Sequence, residues 1–294
     1  MSALRAGALA QCSDPVPAGL QEVTVIEIRP LTPTIGAEVR GLDLGEPPDV
    51  GAFAELEQAF LDHKVLFFRD QDITTDQHLA VCRHFGELEL HPFVPPKPGY
   101  PEVMVLVHDD KHPGTENAWH SDVTWRQEPS LGSMLRAVEV PDTGGDTLFA
   151  DMEAAFAGLP GHVQEQVLGL TAVHDFTRVF GGGKSPEQIE AMHERYPPAE
   201  HPVIRTHPVT GRPSIYVNTA FTSHIVGLDP ADSAALLTLL YAQAAIPEHQ
   251  CRFRWEPNSI AFWDNRCAQH YAVSDYWPAR RVMERVTSVG DRPV

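Results

Sequence analysis

Hydrophobic and polar positions follow two periods along this chain, and the switch between them marks its elements. Residues 23–28 alternate β-branched and polar side chains, which predicts a strand that Pro30 and Pro33 break. A second short strand fits residues 35–39, with Gly41 and Gly45 as turns. Phe53, Leu56, Phe60 and Leu61 then recur at helical spacing, so residues 50–63 read as a helix. Residues 65–68 (Val-Leu-Phe-Phe) have no polar position at all, the mark of a strand covered on both faces. Thr74 or Thr75 caps a helix that runs to about Phe85, and Gly86 ends it. The Pro-rich stretch 91–98 cannot be helical.

The second half reads mainly as short strands, at 104–107, 133–140, 148–150, 171–176, 252–255, 259–263, 270–272 and 282–289. Residues 203–207 and 214–217 flank Thr210-Gly211 as a hairpin. Helices are expected at 153–157, 162–168, 187–195 and 230–245. The Gly-rich segment 180–186 reads as a mobile, lid-like stretch, and residues 109–117 as a polar loop. Many strands with helices set apart from them predict an α+β fold with an antiparallel core. The pattern leaves sandwich and barrel open. Residues 1–21, rich in Ala, Pro and Gly, read as a disordered tail, and residues 22–294 as one domain without internal repeat or linker.

Composition narrows the function classes. The chain has 294 residues, 43% of them hydrophobic, enough for a substantial core. A formal charge of −18 argues against nucleic acid or an anionic membrane as partner. Any anionic ligand therefore needs local positive charge. No apolar run is long enough to span a bilayer, and the start lacks a signal-peptide core. Four cysteines without Cys-x-x-Cys pairing fit a reduced cytoplasm.

Candidate chemistry concentrates in Trp119-His120-Ser121-Asp122-Val123-Thr124-Trp125. On an extended strand, positions i and i+2 share a side, so His120 and Asp122 would point together. Imidazole plus carboxylate is two-thirds of the two-His-one-carboxylate face that holds non-haem Fe(II). A third ligand must come from elsewhere, and His270 of Gln269-His270-Tyr271, after the apolar run 260–263, is the candidate.

At these residues the chain resembles the Fe(II)/2-oxoglutarate-dependent dioxygenases of the taurine dioxygenase type. The resemblance rests on 119–125, on Gly144-Gly145-Asp146-Thr147-Leu148, and on Trp263-Asp264-Asn265-Arg266 through His270 to Arg280-Arg281-Val282-Met283-Glu284-Arg285, with weaker matching over 23–293. It implies a double-stranded β-helix (jelly roll) with helices outside it. It implies His120, Asp122 and His270 as Fe(II) ligands, with 2-oxoglutarate and O₂ as cosubstrates. Arg281 corresponds to the anchor of the 2-oxoglutarate distal carboxylate, where a guanidinium gives a charge-assisted fork, and Thr147 to its hydroxyl partner. Asp122 stands where halogenating relatives have a small residue, which disfavours halogenation.

On a strand, Arg281, Met283 and Arg285 share one face, and Arg280, Val282 and Glu284 the other. Arg281 and Arg285 would lie about 13 Å apart, enough for two anion pockets on one wall. Arg285 and His91 match the sulfonate-binding pair of the taurine enzyme, and Phe180 and Phe221 its aromatic pocket wall. Val94, Glu116 and Val179 depart from it, standing where that enzyme has Tyr, Asn and Ser. Glu116 is expected to pair with a cationic group at the far end of the substrate.

The reading is a cytoplasmic dioxygenase that hydroxylates a small anion, taurine or a related alkylsulfonate, releasing sulfite and an aldehyde. The same chemistry on a sulfate ester, phenoxyacetate-like acid or amino-acid derivative is the alternative. A non-catalytic metal-binding jelly roll, a sensor or scaffold, is the alternative of another class; it would not need the Arg281–Thr147 site. The sequence leaves a homo-oligomer, dimer or tetramer, open.

Overall fold

The structure, a computed structural model, describes residues 26–46, 48–115 and 117–294. The expected tail, the start of the first strand and Glu116 lie outside the described residues. The fold mixes sheet and helix and is built around one large mixed sheet. Its strands lie in the order Glu27–Pro30, Ala37–Arg40, Val65–Phe68, Ile260–Asp264, Gly132–Glu139, Arg281–Ser288, Tyr100–His108 and Pro96–Lys97. Only the Ala37–Arg40/Val65–Phe68 pair is parallel; the other neighbours run antiparallel. A smaller sheet places Thr147–Asp151 between Gln250–Phe253 and Ala268–Ala272.

Alternation along the strands divides the core. Val65 and Phe67, with Leu135, Ala137, Ala261, Trp263 and Met283, point to one side of the large sheet. There they meet Phe149, Cys251, Phe253 and Ala268 of the smaller sheet. Leu66 and Phe68, with Met134, Phe262 and Val286, point to the other side and pack beneath helices Val50–His63 and Thr75–His84. The run 65–68 is apolar throughout because both of its faces are covered.

Helix Val50–His63 starts at Asp49, whose side chain accepts from Ala52 N at 2.9 Å, and ends at Lys64 in the left-handed region, φ 64°. Lys64 is buried, and its ammonium lies 3.2 Å from Asp151 and 3.4 Å from Glu153, which ties the helix end to the smaller sheet. Helix Thr75–His84 carries a capping box between Thr74 and Gln77, which selects Thr74 from the two caps the sequence left open. A further cluster packs helices Met152–Ala157, Gly161–Val167 and Pro230–Ala244 against strands Thr171–His174, Ile204–Thr206, Pro213–Ile215 and Thr222–Ile225. Among the described residues no helix is long and apolar enough to cross a membrane.

The expected elements recur with shifted ends, and three differences matter. Pro96–Lys97, inside the stretch read as loop, adds a short edge strand, the position in a sheet where Pro is tolerated. Strands Ala199–Pro202 and Thr222–Ile225, not anticipated, flank Thr171–His174. The third difference concerns the strand assigned to residues 119–125. Only His120 makes a bridge there, and the chain then turns.

Candidate active site

His120 and His270 face each other across that bridge. Each backbone N–H donates to the other's carbonyl, at 3.1 and 2.8 Å, and the rings lie 4.2 Å apart. The chain turns immediately afterwards. Val123 takes a positive φ of 46°, and Arg126 N closes on Val123 O at 2.9 Å. His120 and Asp122 converge as expected, but not on a regular strand: only His120 bridges, and the chain turns from Asp122 onward. The sequence hides this because Val disfavours φ > 0, and only surrounding bonds hold it there. Asp122 N donates to Asn265 Oδ1 at 3.1 Å, and Trp263 Nε1 donates to the same oxygen at 3.0 Å.

The carboxylate of Asp122 is oriented atom by atom. Oδ2 accepts from Ser133 Oγ at 2.8 Å and from Asn265 Nδ2 at 3.3 Å. Oδ1 lies 3.8 Å from His270 Nε2 and accepts from Arg285 Nη1 at 2.8 Å. Burial works against its charge, but Arg285, the two imidazoles and Ser133 outweigh burial and hold the carboxyl well below the usual range. His270 moves the other way. Burial, then His120 and Arg285, push it down to about 3 against the pull of Asp122, so the imidazole is neutral at pH 7. His120 Nδ1 lies 2.8 Å from Ala118 O; as donor there, it leaves the Nε2 lone pair free.

This donor set fits Fe(II). Two imidazoles and one ionised carboxylate bring their ligand atoms within 4.8 Å of one another, with no thiolate among them. Open space lies on both sides of the triad. A narrow cavity of about 60 Å³ is lined by Thr147, Arg281, His108, His120, His270 and Arg285. Arg281 is 5% exposed and its guanidinium lies 5.8 Å from the ring centres of both Trp255 and Tyr276. Trp255 Nε1 donates to Thr147 Oγ1 at 3.0 Å, which leaves the Thr147 hydroxyl hydrogen for a ligand.

The second cavity, about 540 Å³, shares Leu106, His120 and Arg285 with the first. His91, Val94, Val179, Phe180 and Phe221 all line it, joined by Ala118, Val123, Trp125 and Arg178. His91 folds its own loop, with Nδ1 accepting from Phe93 N at 3.3 Å and Val94 N at 3.0 Å. Burial, then Arg285 and Arg126, push it down to about 4. It therefore meets a ligand as a neutral donor. Phe93 stacks on Phe176 at 4.8 Å and lies 5.8 Å from Phe180, joining this loop to the segment that follows it at the cavity mouth.

The structure brings together every expected site residue except Glu116, which lies outside the described residues. Arg281 and Arg285 do share a face, for both line the narrow cavity, while Glu284 points away and takes Lys97 Nζ at 2.6 Å. Reasoning from sequence missed Asn265, Ser133, Trp255, Tyr276 and Arg178. A polar Asn directly after an apolar, fully buried strand was the one readable signal for Asn265. Ser133 reaches the site by sheet pairing, Trp255 and Tyr276 from the segments that follow two strands, and Arg178 from the short helix Thr177–Phe180, so none has a local signal.

A family model described as "Taurine catabolism dioxygenase TauD, TfdA family" matches residues 27–287. An "Alkylsulfatase" of Acinetobacter baylyi is 35% identical over 274 residues, covering 90% of this chain and 86% of that protein. An "Alpha-ketoglutarate-dependent sulfate ester dioxygenase" of Pseudomonas putida is 35% identical over 277 residues, covering 92% and 91%. The crystal structure of a taurine dioxygenase from Burkholderia xenovorans superposes with a TM-score of 0.80 at 38% identity, covering 92% of this chain and 91% of the other.

Proposed function

The chain belongs to the taurine catabolism dioxygenase TauD, TfdA family and is a 2-oxoglutarate-dependent dioxygenase; on that premise we propose that it oxidises a short-chain alkyl sulfate ester or alkylsulfonate at the carbon bearing the anionic group. The two facing sheets are read as a double-stranded β-helix carrying the whole site. The observation that carries the substrate class is the position of Arg285. Its guanidinium touches Asp122 and borders both cavities, so an anion held there lies next to the triad. Val94, Val123, Val179, Phe180 and Phe221 supply an apolar wall for the carbon chain. Each methylene buried on that wall contributes about 0.8 kcal/mol. The wall supports an alkyl chain over the polar far end of taurine, and the named relatives support a sulfate ester.

His120, Asp122 and His270 would hold the Fe(II). When bound, the metal activates O₂ with the electrons of 2-oxoglutarate, which leaves as succinate and CO₂. Arg281 binds the distal carboxylate of 2-oxoglutarate and Thr147 donates its hydroxyl to it, while Trp255 and Tyr276 hold the guanidinium between them. Asn265 and Ser133 fix the rotation of Asp122, and Ala118 fixes the tautomer of His120. Arg285 and neutral His91 orient the substrate anion. The aromatic wall excludes water, so the C–H bond beside the anion is the one presented. Hydroxylation of that carbon gives a hemiacetal sulfate, which collapses to an aldehyde and sulfate; a sulfonate gives sulfite instead.

The test is succinate release with Fe(II) and 2-oxoglutarate across short alkyl sulfates, alkylsulfonates, taurine and small carboxylates, with sulfate and sulfite measured in parallel. Turnover confined to carboxylates would remove the sulfur-anion reading and leave the dioxygenase.

A further inference from the structure

Arg178 stands apart from the other charged groups of the larger cavity. It lies on the short helix Thr177–Phe180 at the mouth, and it lines the same space as Arg285. Its segment is fastened from below. Asp175 Oδ1 accepts from both the N–H and the hydroxyl of Thr177, at 2.8 and 2.7 Å, and His193 Nε2 lies 3.1 Å from the same carboxylate. The guanidinium itself has little to hold. Its one hydrogen bond among the described residues is to Thr219 O, at 3.5 Å, across the mouth. It has no carboxylate partner among them, whereas Arg285 is paired with Asp122.

The charge balance of the cavity is unusual for this chain. Acidic residues outnumber basic ones by 40 to 22, yet the described cavity wall carries two arginines and one carboxylate. That carboxylate, Asp122, is already committed to Arg285 and the imidazoles. A cation with no carboxylate partner among the described residues, beside the apolar part of the cavity wall, needs a counter-charge when a ligand excludes water from it.

Resting on the substrate reading above, we propose that Arg178 reads a second acidic group. The preferred substrate is then a dianion, with its sulfate or sulfonate on Arg285, an apolar tether along the valine and phenylalanine wall, and a carboxylate or similar anion on Arg178. This sets the far end of the substrate as anionic, the opposite of the cationic end expected from Glu116.

The test compares alkyl sulfates with ω-carboxyalkyl sulfates of matched length, scored by succinate release. In the wild type the dianion should win in kcat/KM by about fivefold at the best length, the scale of one partly exposed ion pair. The dianion-to-monoanion ratio should fall to about one in Arg178→Gln and be largely restored in Arg178→Lys. Arg178→Glu should invert the preference toward ω-aminoalkyl sulfates. A wild-type ratio near one, or a ratio that Arg178→Gln leaves intact, overturns the assignment of Arg178 while sparing the sulfur-anion reading. A loss in Arg178→Gln that is equal for both series also overturns it, because general steering of anions would explain it. No turnover of either series by the wild type overturns the substrate reading and this inference together.

Discussion

Two buried clusters in this protein have nearly the same composition and opposite prospects. His120, Asp122 and His270 form one; His207, Asp264 and Cys267 form the other, and each gathers three ligand-type atoms within 4.8 Å. In the second cluster every strong polar group is already spent. His207 Nδ1 accepts from Val209 N and Thr210 N, at 3.2 and 3.1 Å, so its Nε2 carries the proton donated to Asp264 Oδ2 at 3.1 Å. Asp264 also takes a two-pronged grip from Arg266, at 2.8 and 2.7 Å. Burial, then the neighbouring acids Asp264 and Glu153, push the Cys267 thiol well up, so it stays protonated. In the first cluster Ala118 and Ser133 hold the far sides of His120 and Asp122, only Arg285 donates to the near oxygen Oδ1 of Asp122 among the described residues, and the near sides open on two cavities. Residue types alone do not make a metal site. Free lone pairs and access do.

Removing a carboxylate should break the comparison most sharply. Asp122→Ala should abolish turnover and the visible absorption of the Fe(II)–2-oxoglutarate complex, with the fold retained. Asp264→Asn should keep that absorption in the folded protein but lower the unfolding free energy by about 3–5 kcal/mol, because it uncouples a buried pair. A folded Asp264→Asn protein without the absorption would move the metal to the second cluster.

The next effect lies one layer out. Asn265→Ala or Ser133→Ala leaves all three ligands in place but frees the Asp122 carboxylate to rotate. Fe(II) affinity, measured by anaerobic titration, should fall about 10–100-fold, whereas Cys267→Ser should leave it unchanged. Equal affinities in all three variants would mean that the orientation of Asp122 does not matter.

A smaller change is expected at the cosubstrate end. Arg281→Lys keeps the charge and loses the fork, so the KM for 2-oxoglutarate should rise about tenfold, the scale of one charge-assisted hydrogen bond. An unchanged KM would place the anchor elsewhere.

Burial without acidic partners gives the most gradual effect and separates burial from pairing. His78 and His174 are fully buried and lie outside both clusters. Burial, then Arg136, pushes His78 down to about 3, and burial, then His201, lowers His174 well below the ordinary value. The unfolded chain takes up protons near pH 6.5 that the folded chain refuses. Stability is therefore intact above that pH and declines below it, by up to about 1.4 kcal/mol per pH unit for each histidine. Urea melts of the metal-free protein between pH 7.5 and 5 should show this slope, and His78→Leu should flatten it. A slope unaltered by that substitution would assign the acid sensitivity to other groups.

Much of the site was legible because its residues carry their chemistry in their type. A His-x-Asp pair and a distal His after an apolar run point to a metal by residue type, whereas the 2-oxoglutarate roles of Arg281 and Thr147 follow only from the resemblance to the taurine dioxygenase type. Asn265 was visible as a residue but not as the group that fixes Asp122, since that bond spans 143 positions. Arg178 had no local signal, because a lone arginine acquires meaning only when the charges around it are known.

By itself the sequence determined the periods of the elements, a threonine cap at 74 or 75, the strand covered on both faces, and the shared face of Arg281 and Arg285. These depend on neighbours within a few positions, where backbone geometry leaves little choice. Tertiary structure alone decided that the chain leaves the strand at Asp122 for a turn with Val123 at positive φ. It also decided which of two His–Asp clusters opens on a cavity and which cation at the cavity mouth has no carboxylate partner among the described residues. Those outcomes depend on which segments the fold brings together, and no local pattern encodes that.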